Sequence, residues 1–350
     1  FNGDGHLDLF LGGRVIPGSY PDAPRSALLA WRDGRFVDVT ATVAPTLPRL
    51  GMVTAALWTD ATGDGRPDLV VACDWGRVSC FRNDGAQGFT DITESAGFAS
   101  AGTGWWRALA AVDLNGDGRP DFVAGNIGLN TRYRASASEP ALLYAGVALD
   151  GARPQLIEAH YADGRIYPWV TREVITRLFP TLAPRFPTGD SYAPATLDEV
   201  FPATALGAAR RLEATQLQSG AFLSQADGRW VFTPLPRELQ IAPITALAVA
   251  DFDGDGHADL VAAGNDFTPL PEIGRFDGGL GWLLRGDPRA GPLGLTTVWP
   301  RESGLQLFGD VRSVVTTDLD RDGKPDLFVT RNNAPSLAFA SRRPSIVPAP

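Results

Sequence analysis

Lysine is nearly missing from this chain, in which Lys324 stands alone beside 30 Arg. Such a bias can reflect anion recognition, although coding-base composition is the simpler account. Only three His and two Cys are present, and none cluster, which argues against a zinc centre. No apolar run approaches the ~18 to 20 residues of a membrane helix, so membrane insertion is not expected. No basic stripe of the kind that nucleic acid requires is evident. Glutamate is also scarce, at 9 against 31 Asp, and this imbalance leads to what the chain does contain.

Sixteen of the Asp fall in five loops of the pattern Asp-x-Asp/Asn-x-Asp-Gly-x-x-Asp. The fullest copies run from Asp251 through Asp253, Asp255 and His257 to Asp259, and from Asp318 through Asp320, Asp322 and Lys324 to Asp326. A third uses Asp113, Asn115, Asp117, Arg119 and Asp121. Two copies are poorer. The loop of Asp60, Asp64, Arg66 and Asp68 has Thr62 at its third position, and the chain opens inside the loop of Asn2, Asp4, His6 and Asp8. The natural start, with any signal peptide, is therefore expected upstream.

Calcium takes six to eight hard oxygens in a flexible shell, and side chains at alternating positions 1, 3 and 5 supply three of them. Glycine at position 6 permits the sharp turn, position 7 is expected to donate its backbone carbonyl, and the ninth-position Asp closes the shell. Up to five calcium ions are thus expected. Their charge of +10 would bring the formal −9 to about +1, so the acidity is largely stored ligand charge. An EF-hand needs an acid at position 12 between two helices. Here that position holds Val71, Ala124, Ala262 or Val329 within an expected strand. At dissociation constants near 10⁻⁴ M, ~1 mM calcium would stabilise each site by roughly 1.4 kcal/mol, or roughly 7 kcal/mol for five independent sites. That is comparable with the whole stability of a domain.

Each loop joins two short apolar, β-branched runs, as in Val53–Trp58 and Asp68–Cys73 around the Asp60 loop. Third and fourth strands follow at Arg77–Phe81 and Gly88–Thr93, giving a four-stranded meander. The repeat recurs at roughly 40 to 70 residues, the signature of β-propeller blades. Six blades can be counted, and a seventh is expected outside this sequence. Tyr144–Ala159 reads as a blade start whose acidic loop has decayed to Asp150-Gly151, continued by strands near 212–217, 220–224 and 230–233. From about 163 to 210 the texture turns helical, with Val174, Ile175 and Leu178 at helical spacing and a capping box at Thr196-Leu-Asp-Glu199. One domain, 1–340, is expected, followed by a linker at 341–350. Cys73 and Cys80 flank an expected hairpin turn at Gly76-Arg77. They read equally as a cross-strand disulfide in an oxidising compartment or as two buried thiols.

The acidic loops with their Leu-Asp-Leu-type strands, and Phe308-Gly309 before the last loop, resemble the FG-GAP or VCBS-type repeats of integrin α-subunit propellers. Gly125–Asn130, Gly164–Pro168 leading into Thr171-Arg-Glu-Val, and Ser191–Phe201 look like large bacterial VCBS-repeat proteins. Those often carry an ASPIC/UnbV module, which nothing in this chain matches. The resemblance implies a seven-bladed all-β propeller, calcium in the loops, and an exported or cell-surface protein that binds a protein or glycan. A non-catalytic interaction scaffold is the leading expectation. A carbohydrate lyase or dehydratase is the rival, with His160, Tyr161, Arg165, Tyr167 and Trp169 as the only local concentration of suitable groups. A lectin using Trp105, Trp106 and Trp169 as stacking platforms is the third.

Overall fold

The computed structural model describes residues 1–269 and 273–341, so the expected linker lies outside the described residues apart from Ser341. Among the described residues there are six antiparallel sheets, of which five are blades of a β-propeller, one fewer than the six blades counted in the sequence. Blade 1 comprises Leu9–Leu11, Ala27–Arg32 and Arg35–Asp38. Blade 2 comprises Met52–Thr59, Asp68–Gly76, Val78–Asn83 and Phe89–Asp91, with Gly104–Trp105 added at one end. Blade 4 comprises Ile244–Ala250, Asp259–Gly264, Trp282–Gly286 and Leu295–Val298, and blade 5 comprises Val311–Thr317, Asp326–Arg331 and Ala334–Phe339.

Blade 3 is discontinuous. Its first two strands are Ala108–Val112 and Asp121–Gly125, and its last two are Gly220–Ser224 and Trp230–Pro234. Phe122 pairs with Phe222 and Val123 with Ala221, so the blade is completed only after the chain has made a long excursion. Within that excursion lies the sixth sheet, of Ala141–Val147, Gln155–Ala162, Arg165–Pro168 and Arg210–Ala214. Arg210–Ala214 pairs on the far side of Ala141–Val147, which breaks the meander order of the other blades. The reading of Tyr144–Ala159 as the start of a consecutive blade is therefore corrected. It belongs to a sheet inserted into blade 3, and the strands at 220–224 and 230–234 belong to blade 3 itself. Helices at Arg172–Leu178, Gly189–Tyr192, Leu197–Val200 and Ala203–Ala208 pack on this sheet around Ile157, Ile175, Phe179 and Phe201. Proline at 180 ends the first of these. Glu199 accepts a bond from the Thr196 N–H at the start of the third, as the capping box requires.

The first strands of blades 2, 3, 4 and 5 lie side by side, so these strands are innermost. Each second strand is then covered by a neighbouring blade on both sides. That is why Leu69–Cys73, Phe122–Ala124 and Leu260–Ala263 are continuous apolar runs and not alternating ones. Four inter-blade cores result, of which the blade 2–3 core is richest in aromatics, with Phe98, Trp106, Phe122, Phe222 and Trp230. Small residues mark where blades approach most closely. At Gly125 a Cβ would lie 2.3 Å from the Ile244 carbonyl oxygen of the next blade.

In blade 2, Ala72 pairs with Val78 and Val70 with Cys80. Cys80 therefore faces the blade 2–3 core while Cys73 faces the blade 1–2 core, and both are free thiols. The turn is longer than the two-residue Gly76-Arg77 connection that a bridge required. Burial pushes the Cys73 thiol up to about 12.

Candidate functional site

Strand register places the acidic loops together at one end of the blades. Thr59 pairs with Asp68, Val112 with Asp121, Ala250 with Asp259 and Thr317 with Asp326, so each loop caps the hairpin of the first two strands. The first strands start, and the second strands finish, at the opposite end. The inserted sheet leaves from Gly125 at that end.

Within each full loop the position-1 carboxylate organises the backbone. Asp251 accepts N–H groups from Gly254, Asp255 and Gly256, and Asp113 does the same from Gly116, Asp117 and Gly118. Glycine at position 6 has a positive φ in every copy, at 83° for Gly65, 81° for Gly118 and 90° for Gly256. The ninth-position Asp has a second task that the sequence reading did not foresee. Asp121 accepts from Leu114 N on one oxygen and from Ser224 N, in the third strand, on the other. Asp259 bridges Phe252 and Gly286 in the same way, and Asp68 reaches Asn83. These residues thus tie each loop to the rest of its blade. Burial, reinforced by neighbouring Asp carboxylates, holds Asp68, Asp121 and Asp259 above the usual carboxylate range despite these bonds.

The loops differ in how far their carboxylates converge. Oxygens of Asp251, Asp253 and Asp259 lie within 4.8 Å of one another, as do those of Asp318, Asp320 and Asp326. These all-oxygen triads, each with a buried member, have the donor chemistry that suits a hard divalent cation. In the third loop Asn115 donates to Asp117 at 3.2 Å. In the Asp60 loop Thr62 donates its hydroxyl to Asp68 at 3.1 Å, so the third position consumes a carboxylate oxygen there and supplies none. In the first loop Asn2 likewise donates to Asp4, and Asp8 accepts from Trp31 N. Position 7 is less passive than expected. Arg66, Arg119 and Lys324 fold back onto the position-5 carboxylates Asp64, Asp117 and Asp322 at 2.5, 2.7 and 2.6 Å. The Arg119 guanidinium holds Asp117 down at about 2. His6 and His257 form no such side-chain pair among the described residues, while Arg285 reaches Asp253 at 2.6 Å from the third strand.

The opposite face is aromatic and ion-paired. Trp75, Trp105, Tyr133 and Trp169 follow one another at centroid separations of 4.8, 4.9 and 6.1 Å, and His160 stacks on Trp169 at 4.0 Å. Arg132 lies over Trp169 and binds Glu158 at 2.6 Å, and Tyr133 donates to the same Glu158 oxygen. Arg107 of blade 3 pairs with Asp266 of blade 4 at 2.5 Å. Arg14 pairs with Asp74 at 2.9 Å, and Trp75 donates to the Tyr20 hydroxyl.

The residues expected to form one local concentration are divided. His160 and Trp169 join the aromatic cluster, whereas Tyr161 and Arg165 turn to a cavity of about 690 Å³ beneath the helices, near Asp198 and Glu199. Of the expected stacking platforms, Trp106 is 0% exposed in the blade 2–3 core and Trp105 is 6% exposed, so neither offers a face to a sugar. Burial holds the His160 imidazole below its ordinary pKa. The residues that sequence reasoning missed are Asp74, Arg107, Asp266 and Glu158. A comparison of second-strand ends finds the first of them, since Asp74 occupies a place held by Asn126, Asn265 and Asn332 in blades 3, 4 and 5.

Family models agree with the repeats. An FG-GAP-like repeat matches residues 1–71 and 60–124, and an FG-GAP repeat matches 244–284. No curated protein matches the sequence. Among solved structures, the exotype rhamnogalacturonan lyase YesX is 13% identical over 97% of this chain and 54% of its own, with a TM-score of 0.37. The chain thus spans about half the length of that enzyme. The V. cholerae biofilm matrix protein Bap1 is 10% identical over 93% of this chain and 70% of its own, at a TM-score of 0.30. An Agrocybe aegerita lectin that recognises non-reducing terminal N-acetylglucosamine is 13% identical over 95% of this chain and 80% of its own, at 0.29.

Proposed function

The chain belongs to the FG-GAP repeat proteins, and we propose that it is a calcium-stabilised, exported propeller that serves as a non-catalytic interaction scaffold. The convergence of two carboxylate triads, at Asp251 and at Asp318, carries this reading. Asp251, Asp253 and Asp259 would hold one ion and Asp318, Asp320 and Asp326 another. The Asp113 loop would hold a third, with Asn115 as a neutral donor. A bound cation supplies positive charge where buried carboxylates crowd, and so locks each loop to its blade. Exposed loops of this kind suit the weak affinities that function at the millimolar calcium outside cells. The recognition surface is then the opposite face, where side chains from blades 1 to 4 and the inserted sheet meet.

Thermal unfolding in calcium, in magnesium and in chelator tests the reading. A fall in Tm on chelation, restored by calcium and not by magnesium, supports it, and an unchanged melt removes it. A glycan and protein binding screen run beside a substrate-turnover assay separates a scaffold from a carbohydrate-active enzyme.

A further inference from the structure

The second strands of blades 3 and 4 end in the same arrangement. Asn126 accepts N–H groups from Trp105 and Ile127 on its side-chain oxygen and donates its amide to the Gln216 carbonyl. Asn265 accepts from Gly279 and donates to the carbonyls of Gly279 and Gly309. The amide therefore stitches one blade end to the segments around it. Blade 2 has Asp74 at this place, and a carboxylate cannot donate. Its side chain is 6% exposed, one oxygen is held by Arg14, and Oδ1 has no partner among the described residues. A buried anionic oxygen without a donor is costly, and two sibling blades show that the fold is served by the amide. The next residue, Trp75, holds φ at 53°, a left-handed conformation that strains a bulky side chain.

Asp74 and Trp75 line a cavity of about 200 Å³ between blades 1 and 2 and the inserted sheet. Its other walls include Pro21, Met52, Leu212 and the two arginines Arg49 and Arg210. Arg210 is engaged with Asp22 and the Pro21 carbonyl, whereas the exposed Arg49 side chain makes no ion pair or hydrogen bond among the described residues. Tyr20 accepts from Trp75 and keeps its own proton for another acceptor. The site thus offers a carboxylate with one oxygen that lacks a donor and is closed to water in this conformation, a free guanidinium at its rim, an apolar wall, and room for about seven waters' worth of liquid.

We propose that this cavity binds one acidic sugar unit, a uronate, whose ring hydroxyls donate to Asp74 and whose carboxylate pairs with Arg49. A simple cation is disfavoured because Arg14 already pairs with the carboxylate and Arg49 and Arg210 line the same cavity. A neutral sugar leaves Arg49 without a counter-charge. Arg14, whose side chain is half exposed, is the movable cover over Asp74. The proposal rests on the recognition-scaffold reading of this face and is independent of the metal loops.

Calorimetric titration of the calcium-loaded chain with D-glucuronate, D-glucose and ethylammonium tests it. Saturable glucuronate binding, at least tenfold tighter than glucose and with no heat from ethylammonium, is expected. Asp74→Asn should melt no lower than the parent, because it restores the amide of the sibling blades, and should weaken glucuronate binding at least tenfold. Arg49→Ala, at an exposed position, should fold normally and bring glucuronate and glucose affinities within threefold of each other. Undiminished binding in both variants, stronger binding of ethylammonium, or no saturable glucuronate binding overturns the proposal. None of these results alters the chelation melt, which tests the metal reading separately.

Discussion

The two faces of this propeller are built by opposite rules. On the loop face, each blade repeats the same short solution: the bonds that shape the turn are local, as from Gly256 N to Asp251, and one ninth-position Asp ties the loop to the rest of its blade, as Asp259 does to Gly286. On the opposite face, apart from the amides of Asn126 and Asn265, the contacts differ from blade to blade. Arg107 reaches Asp266, Arg210 reaches Pro21, and Trp75 reaches Tyr20, each across a long stretch of chain. Local repetition suits a structural clasp, which has the same task in every blade. A unique arrangement assembled from distant segments suits recognition, where each side chain has a different task.

The largest test of this contrast is Arg107→Ala. Asp266 is 3% exposed, so removing its partner leaves a buried charge and should cost about 3–5 kcal/mol in a denaturant melt. A loss below about 1 kcal/mol would place the opposite face among ordinary surface ion pairs. Chelation comes next. Occupancy of the two convergent triads alone would contribute about 3 kcal/mol in ~1 mM calcium, against roughly 7 for all five loops, so the size of the Tm shift counts the working sites.

Thr62→Asp sharpens the comparison within the loop face. It replaces a hydroxyl that donates to Asp68 with a third carboxylate. Stability should rise by about 1 kcal/mol in calcium and fall in chelator, a change of sign that melts in the two buffers will show. The smallest effect concerns pH. Burial lowers the His160 pKa from 6.5 in the folded chain, so the unfolded chain takes up protons first. Stability is fully present above about 6.5 and declines as pH falls toward the folded value, then levels off. His160→Gln should flatten that stretch of the stability profile. Asp266 works at lower pH. Burial pushes it up, but Arg107 and Thr268 pull it further down, to a net value below 3.8. Its contribution is present above about 3.9 and lost as pH falls through its folded value, a limb that Arg107→Ala should shift upward.

The same division explains what the sequence could reveal. The loops, the strands that flank them, and the exclusion of an EF-hand by Val71, Ala124, Ala262 and Val329 all follow from spacing along the chain. The pairing of Phe122 with Phe222 does not, because no period links a strand to a partner a hundred residues away. The Cys73 and Cys80 register turned on a single turn length. Asp74 was hidden by a shift of one residue. Asn126 follows its loop's last Asp by five positions where Asp74, Asn265 and Asn332 follow by six, so the correspondence emerges only when strand ends are superposed.

The interruption of blade 3 also has a kinetic side. Closing a flexible loop of roughly a hundred residues costs about 4 kcal/mol in chain entropy, and blade 3 cannot pair its middle strands until that cost is met. The inserted sheet and its helices have their own core around Ile157, Phe179 and Phe201, and the two ends of the excursion are bonded, with Asn126 N donating to Ser219 Oγ and Gly128 N to Leu217 O. Once folded, the excursion behaves as a short bridge and no longer as a long loop. Adjacent ends and a separate core make the excursion a unit whose exchange would leave the surrounding blades intact.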